Sequence, residues 1–379
     1  MVNIGLLTLD AQIYNYGGLL QEYALYKTLQ KLGHKVEIIN YDVGSELNTF
    51  SYKRDIKYLS IDKIVRKIAK KVSRKSHYVT KDIDLKSKYL FDSFRCEHLQ
   101  ISQRYFNSDL KEIHSAYDGF VCGSDQIWNP TYNIPSFFLT FVKKKNKVIY
   151  AASIGVSSLS RIEKKSYAVL LSDLKYISVR EEKAKEMLSP LTSSLIQVVL
   201  DPTMILDREE WKKFIRKNSC QRPYVFCYFL GQSEEKSEAA QKYAKENNLE
   251  LIAVPLDDCN QSEREKGMEG IGPIEFLNLI YYANFILTDS FHASVFSILY
   301  GKNFRVFSRN VGSKNMDDRI HTLLKLIGRE SLLIRPKELE TSYSNDDLGY
   351  NYFQIDEQRV QSLRWLENAL KKEKGKEDA

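Results

Sequence analysis

The stretch Phe120–Pro130, F-V-C-G-S-D-Q-I-W-N-P, constrains this chain more than any other. Phe120, Val121 and Cys122 form an apolar run that suits a buried strand. The run breaks at Gly123 into Ser124, Asp125, Gln126, Trp128 and Asn129, and stops at Pro130. A strand that delivers a polar loop to the edge of a parallel sheet has this profile, and α/β folds keep their ligands at such edges. Trp128 beside Asp125, Gln126 and Asn129 suits a sugar, with an aromatic face for the ring and polar groups for its hydroxyls.

The rest of the chain repeats the alternation of strand and helix. Strand Val2–Leu9 leads through a loop ending at Gly17-Gly18 into a helix over Leu19–Leu32, with Leu20, Tyr23, Ala24, Leu29 and Leu32 as its buried stripe. Gly33 ends the helix, and Lys35–Tyr41 is the next strand. The loop reads N-Y-G-G, so neither a dinucleotide fingerprint nor a Walker A lysine is present. Residues 44–115 are polar, basic and mainly helical, without a clear strand, and read as an insertion. Strands resume at Tyr117–Cys122, Lys147–Ala152, Tyr176–Val179 and Ile196–Leu200, and Asp201-Pro202 is a break signal. A second series follows: strands at Tyr224–Leu230, Leu249–Val254, Phe285–Thr288 and Asn303–Phe307, helices at Glu234–Asn247, Pro273–Tyr282 and Phe291–Tyr300, and a final amphipathic helix at Asp356–Lys372.

With 379 residues, two domains are expected. They are an α/β pair of doubly wound, Rossmann-like halves with a cleft between them: residues 1–205, then 206–355, then a helix and tail at 356–379 that pack back on the first half. No run approaches the 18 apolar residues of a membrane span. The start looks like a first strand and not a signal peptide. Five scattered cysteines without a C-x-x-C pair indicate neither a zinc site nor a disulfide framework, and fit a reducing cytoplasm. The net charge of +7 is concentrated. Ile61–Lys75 carries Lys63, Arg66, Lys67, Lys70, Lys71, Arg74 and Lys75 on a helical apolar repeat. That helix either packs on the protein with a solvated basic face or lies against an anionic membrane or acidic ligand. No nucleic-acid motif accompanies it.

Thr288-Asp289-Ser290-Phe291-His292-Ala293 marks a strand-to-helix crossing. Ser290 or Asp289 can cap the helix, its free N–H groups favour an anion, and His292 falls in the first turn beside that position. At this point the chain resembles the polysaccharide pyruvyl transferase family. The resemblance is carried, in order, by Asn15–Leu25 (N-Y-G-G-L-L-Q-E-Y-A-L), Gly123–Pro130 (G-S-D-Q-I-W-N-P), Tyr150–Gly155 (Y-A-A-S-I-G), Ser178–Glu181 (S-V-R-E), Asp201–Thr203 (D-P-T) and Thr288–Ala293.

The resemblance implies a glycosyltransferase B-like fold and transfer of the pyruvyl group of phosphoenolpyruvate to two hydroxyls of a sugar. The products are a cyclic ketal and phosphate, and the chemistry requires no metal and no nucleotide cofactor. It places the donor against the second half, with the family histidine at His292 and the strand-end arginine at Arg180. Many members carry another arginine two positions before the histidine. Here that position is Ser290, so the donor needs another cation or backbone N–H groups; Lys314 and Arg319 are the candidates, with Asp289 beside them.

His292 is the expected proton donor to the methylene carbon of the donor. The helix N-terminus works against a protonated ring, whereas bound phosphate works for it at short range and dominates. Arg180 suits a carboxylate or phosphate, or else pairs with Glu181 or Glu182 at the surface. Asp125 is either the base that activates the hydroxyl or a turn residue. Asn15, Gly17, Gly18, Gln21, Ser124, Gln126, Trp128 and Asn129 complete the expected acceptor wall, with Trp128 as sugar platform. Asp201 ends a strand or takes part in the chemistry, and the strand end is the preferred reading. The expected acceptor is a capsule or other surface glycan precursor. If it is polyprenyl-diphosphate-linked at the inner face of the membrane, the 61–75 helix gains a purpose there. The alternatives are a nucleotide-sugar glycosyltransferase of the same fold and a glycan-binding scaffold.

Overall fold

The protein is described from a computed structural model. It covers residues 2–9, 14–49, 84–131, 134–143, 145–218, 220, 222–231, 233–254, 270–311, 314–315, 317–340 and 349–371. The basic segment 61–75 and the tail 372–379 lie outside the described residues, as does the membrane contact expected of the former.

Among the described residues, the first half holds seven parallel strands: β1 (Asn3–Leu7), β2 (Lys35–Tyr41), β3 (Ile101–Tyr105), β4 (Gly119–Cys122), β5 (Asn146–Ala152), β6 (Tyr176–Val179) and β7 (Ile196–Val198). Their order is β3-β2-β1-β4-β5-β6-β7. The winding reverses between β1 and β4, which pair in parallel from Ile4 opposite Gly119 to Leu7 opposite Cys122. A crevice opens beyond the carboxyl ends of strands at such a reversal. Strand β3 corrects the expectation that residues 44–115 hold none. It is an edge strand, I-S-Q-R-Y, with only Tyr105 buried, so its apolar signal is thin.

The second half holds β8 (Tyr224–Tyr228), β9 (Glu250–Val254), β10 (Phe285–Thr288) and β11 (Phe304–Phe307). After them come the short antiparallel pair β12 (Asn310–Val311) and β13 (Lys314–Asn315), and then β14 (Leu333–Ile334). The main sheet runs β14-β11-β10-β8-β9 and reverses between β8 and β10. Two Rossmann-like sheets of this kind make a glycosyltransferase B-like architecture.

The helix Tyr16–Lys31 lies between the halves. The sequence suggests one buried stripe. In the structure every residue from Tyr16 to Thr28 is buried except Gly18 and Lys27. One side packs on the first sheet's β2; others meet the Pro202–Ile205 turn and the helices Pro273–Tyr282 and Phe291–Leu299. Tyr16 stacks on Phe276 at 4.5 Å and donates to the Ile271 carbonyl at 2.9 Å. One apolar cluster therefore runs through both halves. The terminal helix Tyr352–Leu370 returns to the first half: Leu200 N donates to Ser362 Oγ, and Asn146 Nδ2 donates to the Ala369 carbonyl. No helix among the described residues is long and apolar enough to cross a membrane.

Candidate active site

The loop after β4 is held from three sides. Gly123 N donates to the Leu7 carbonyl, Ser124 N to Gln21 Oε1, and Ser153 N to the Asp125 carbonyl. Gly123 has φ of +140°, and a Cβ there would lie 2.0 Å from the Tyr150 carbonyl oxygen, so only glycine fits. Asp125 follows with φ of 59°, a left-handed conformation that aspartate tolerates better than most residues. These constraints turn the Asp125 carboxylate out over the carboxyl edge of the sheet.

Two other strand ends meet it there. Arg180 follows β6; its Nη2 donates to Asp125 Oδ1 at 3.0 Å and its Nη1 to Asp201 Oδ2 at 2.6 Å. Asp201 follows β7 and is 1% exposed. One of its oxygens caps the Pro202–Ile205 turn, accepting from Thr203 N and Oγ1. The other, Oδ2, faces both Arg180 and the second half, where His292 Nε2 stands 3.6 Å away. His292 sits in the first turn of Phe291–Leu299, which Ser290 caps by accepting from Ala293 N. Phe291 lays its ring 4.4 Å from the Arg180 guanidinium carbon, a cation–π contact across the cleft. Arg319, from the helix Asp318–Leu326, comes within 3.8 Å of Asp125 Oδ1.

The electrostatics follow from this crowding. Burial would raise the Asp201 carboxyl, but His292, Arg180 and Thr203 outweigh it and hold it far below the usual carboxylate range. Burial likewise opposes the Asp125 carboxylate, and Arg180, His292 and Arg319 together keep it below its ordinary value. Burial works against charge on Arg180, yet Asp201, Asp125 and Glu181 hold its guanidinium firmly protonated. Glu181 goes the other way: burial raises it, against the pull of Arg180 and Arg319. Its Oε1 accepts from Ser153 Oγ and Ile154 N, while its buried Oε2 has no hydrogen-bond partner.

A family model for polysaccharide pyruvyl transferase matches residues 15–310, a span that contains Asp125, Arg180, Asp201 and His292 and ends before Arg319. The chain belongs to the polysaccharide pyruvyl transferase family. Among solved structures, the family member is similar to a Listeria monocytogenes protein described as a UDP-N-acetylglucosamine 2-epimerase. That match has a TM-score of 0.53 and 13% identity, over 94% of this chain and 90% of that one. It is also similar to the UDP-GlcNAc 2-epimerase of Methanocaldococcus jannaschii in complex with UDP-GlcNAc and UDP, with a TM-score of 0.52 and 15% identity, over 95% and 99% of the two chains. At such identities the likeness establishes the fold. Comparison with curated proteins gave no match.

Within this family member, the structure brings together His292, Arg180, Asp125 and Arg319, and adds Asp201, for which the sequence favours a strand end over chemistry. The clue to Asp201 was its D-P-T motif at the same sheet edge as Arg180. Several expected contacts are corrected. Trp128 is 1% exposed, stacks on Phe138 at 4.9 Å and donates to the Phe137 carbonyl, so it is core and offers no sugar platform. Gln21 and Ser124 are fully buried; Gln21 links Thr8 to Ser124 and supports the loop from beneath. Asn15 caps its helix by accepting from Gly18 N. Asp289 neither orients His292 nor faces the cleft as a free group. It accepts from Leu230 N, Gly231 N and Lys236 Nζ and is 2% exposed. Arg180 is no surface ion pair with Glu181 or Glu182. Lys314 lies on β13, whose backbone pairs with Val311, and the donor contact expected of its side chain falls outside the described residues. Gln126 is partly exposed, and its Oε1 accepts from Asn129 Nδ2 at 2.7 Å.

Gly17 has a specific reason to be glycine. A Cβ at this position would lie 2.1 Å from His292 Nδ1. Gly17→Ala should therefore displace the ring and lower turnover by about 100-fold, the usual effect of moving a reacting group by an ångström. Alanine raises helix propensity by about 1 kcal/mol over glycine. An inactive variant with an unchanged melting temperature would thus report the clash itself, and wild-type kinetics would show that the ring is free to move.

A cavity of about 640 Å3 lies elsewhere, between Tyr23, Lys27, Lys31, His98, Glu210 and Phe214 among other residues. Its Lys31 and Lys213 are both paired with Glu210. It holds neither His292 nor the strand-end groups, so the candidate site is the crowded cleft and not this hollow.

Proposed function

We propose that this chain transfers the pyruvyl group of phosphoenolpyruvate to two hydroxyls of one sugar in a surface or capsular polysaccharide precursor, closing a cyclic ketal and releasing phosphate. The observation that carries this reading is the meeting of His292 with Asp201, Arg180 and Asp125 across the cleft, in a chain of this family. The methylene carbon takes a proton and becomes a methyl group. One sugar hydroxyl adds to the central carbon and loses its proton. The carbon–oxygen bond to phosphate breaks, and the second hydroxyl takes its place, its proton leaving with the phosphate. Two carbon–oxygen bonds form and one breaks, with no change of oxidation state that would call for a redox cofactor.

His292 is the proton carrier to the methylene carbon. Asp201, held ionised by its surroundings, faces the ring and fixes its orientation. Asp125 is the carboxylate placed to receive a hydroxyl proton, and Gln126 beside it is the group left to meet the sugar. Asp125 is a weak base while Arg180 and Arg319 both face it, so it orients the hydroxyl first and accepts the proton as positive charge is drawn toward the leaving phosphate. A precursor linked to polyprenyl diphosphate at the inner face of the membrane would suit the basic segment 61–75.

The test is mass analysis of glycan precursors incubated with phosphoenolpyruvate. A product heavier by one pyruvyl ketal, with one phosphate released for each, is the expected result. Consumption of a sugar nucleotide without any ketal would replace this reading by glycosyl transfer.

A further inference from the structure

An anionic donor needs cations, and Arg180 is badly placed to supply them. Both its Nη atoms are occupied by Asp201 and Asp125, and Phe291 covers one face. Lys236 is held by Asp289 at 2.8 Å, and Ser290 brings no charge. Two other guanidinium groups differ. Arg319 has a side chain that is 9% exposed, and its nearest carboxylate oxygen is Asp125 Oδ1 at 3.8 Å, which already accepts from Arg180. Arg309, just after β11, has its nearest carboxylate oxygen, Asp289 Oδ2, at 4.0 Å. That carboxylate already accepts from Leu230 N, Gly231 N and Lys236. Arg309 Nε is buried without a hydrogen-bond partner, as is Arg180 Nε, but only Arg180 has both Nη atoms engaged by carboxylates.

The two arginines are presented together. Arg309 N donates to Asp317 Oδ1 at 2.9 Å, and Asp317 directly precedes the helix that carries Arg319. Ser308 Oγ also donates to Asp317, which staples the end of β11 to the start of that helix. The charges feel one another. Burial first, and then Arg180 with a contribution from Arg309, push Arg319 down to about 10 despite Asp125 and Glu181. Positive charge is left over here, and an anion would relieve it.

We propose that Arg309 and Arg319 form a two-guanidinium seat for a short donor that carries two separate anionic groups. Each arginine presents a planar fork suited to a carboxylate or a phosphate. Two forks at one edge favour a molecule with both groups over one with either alone. Resting on the pyruvyl-transfer reading, the occupant is phosphoenolpyruvate, its carboxylate and phosphate shared between the two side chains and its methylene turned toward His292.

The experiment is calorimetric titration of the full chain, and of Arg309→Gln, Arg319→Gln and Arg319→Lys, with phosphoenolpyruvate, inorganic phosphate, pyruvate and UDP-N-acetylglucosamine. The wild type should bind phosphoenolpyruvate more tightly than phosphate or pyruvate. Each glutamine variant should lose roughly 10- to 100-fold, the worth of a charge-assisted hydrogen bond. Arg319→Lys keeps the charge without the fork and should fall between, which also guards against a glutamine variant that folds poorly. Glutamine variants with wild-type melting temperature that bind phosphoenolpyruvate as the wild type does would overturn the seat. A wild type that ignores phosphoenolpyruvate but binds the sugar nucleotide through these arginines would keep the seat and overturn the pyruvyl reading.

Discussion

His292→Gln should lower turnover by roughly 10²- to 10⁴-fold, the range that a positioned general acid contributes. Donor affinity should stay within a few-fold, because the cations of the cleft are untouched. Glutamine keeps much of the volume of imidazole and can hydrogen-bond to Asp201 Oδ2, but it cannot deliver a proton at neutral pH. The measurement is kcat and donor KM on one acceptor, with phosphate release as readout. The split matters: a kcat that survives while KM rises would make His292 a binding residue and move the proton to another group. The ring is pinned between Gly17 and Asp201, so little of the loss should come from disorder of the neighbours.

Asp201→Asn should be the most destabilising single change in the site. Asp201 is 1% exposed and carries the 2.6 Å ion pair with Arg180, the approach to His292 and the cap of the Pro202–Ile205 turn. Removing one partner of a buried pair leaves the other charge unpaired and typically costs about 3–5 kcal/mol. Asparagine can retain the cap through its amide oxygen, so the loss reports the charge and not the turn. Chemical denaturation of the variant and the wild type measures it, and a difference under about 1 kcal/mol would mean that Asp125 alone suffices for Arg180.

The pH dependence has a definite sign. The folded chain holds Asp201 far below its ordinary 3.8, so its contribution is complete above that pH and is lost as the pH falls beneath it. Glu181 is raised above 4.5, so it opposes folding as the pH climbs through 4.5 toward its folded value. The asparagine variant should lack the acid limb due to Asp201 and keep the limb due to Glu181. Melting temperatures measured across roughly pH 3 to 6 separate the two.

The strands and helices were legible because most have strong, simple patterns. Lys35–Tyr41, Tyr176–Val179, Phe285–Thr288 and Pro273–Tyr282 appear in the structure with the bounds the sequence suggests. The β3 edge strand was not, since its outward residues are polar and little of it is buried. Site residues were legible where a motif sat at a strand end, as with Arg180 and His292. Trp128 misled because an aromatic side chain next to Asn and Asp resembles a sugar shelf. Its true partner, Phe138, comes from a following 3-10 turn, Pro135–Phe138, that no local pattern connects to it. Asp201 does two jobs with its two oxygens, and only the capping one has a local signature. Arg319 is a candidate from the sequence alone, whereas Arg309 joins it only through the tie at Asp317, which a linear reading does not reveal.

Tyr16 has a consequence for engineering. Its ring stacks on Phe276 and its hydroxyl donates to the Ile271 carbonyl, although it belongs to the N-Y-G-G segment at the start of the chain. The two halves are therefore not interchangeable cassettes. A chimera spliced near residue 205 would carry Tyr16 into a foreign socket and set Gly17 against a foreign histidine. Swapping acceptor preference between relatives will succeed only when the helix Tyr16–Lys31 travels with the half it serves as a tenon.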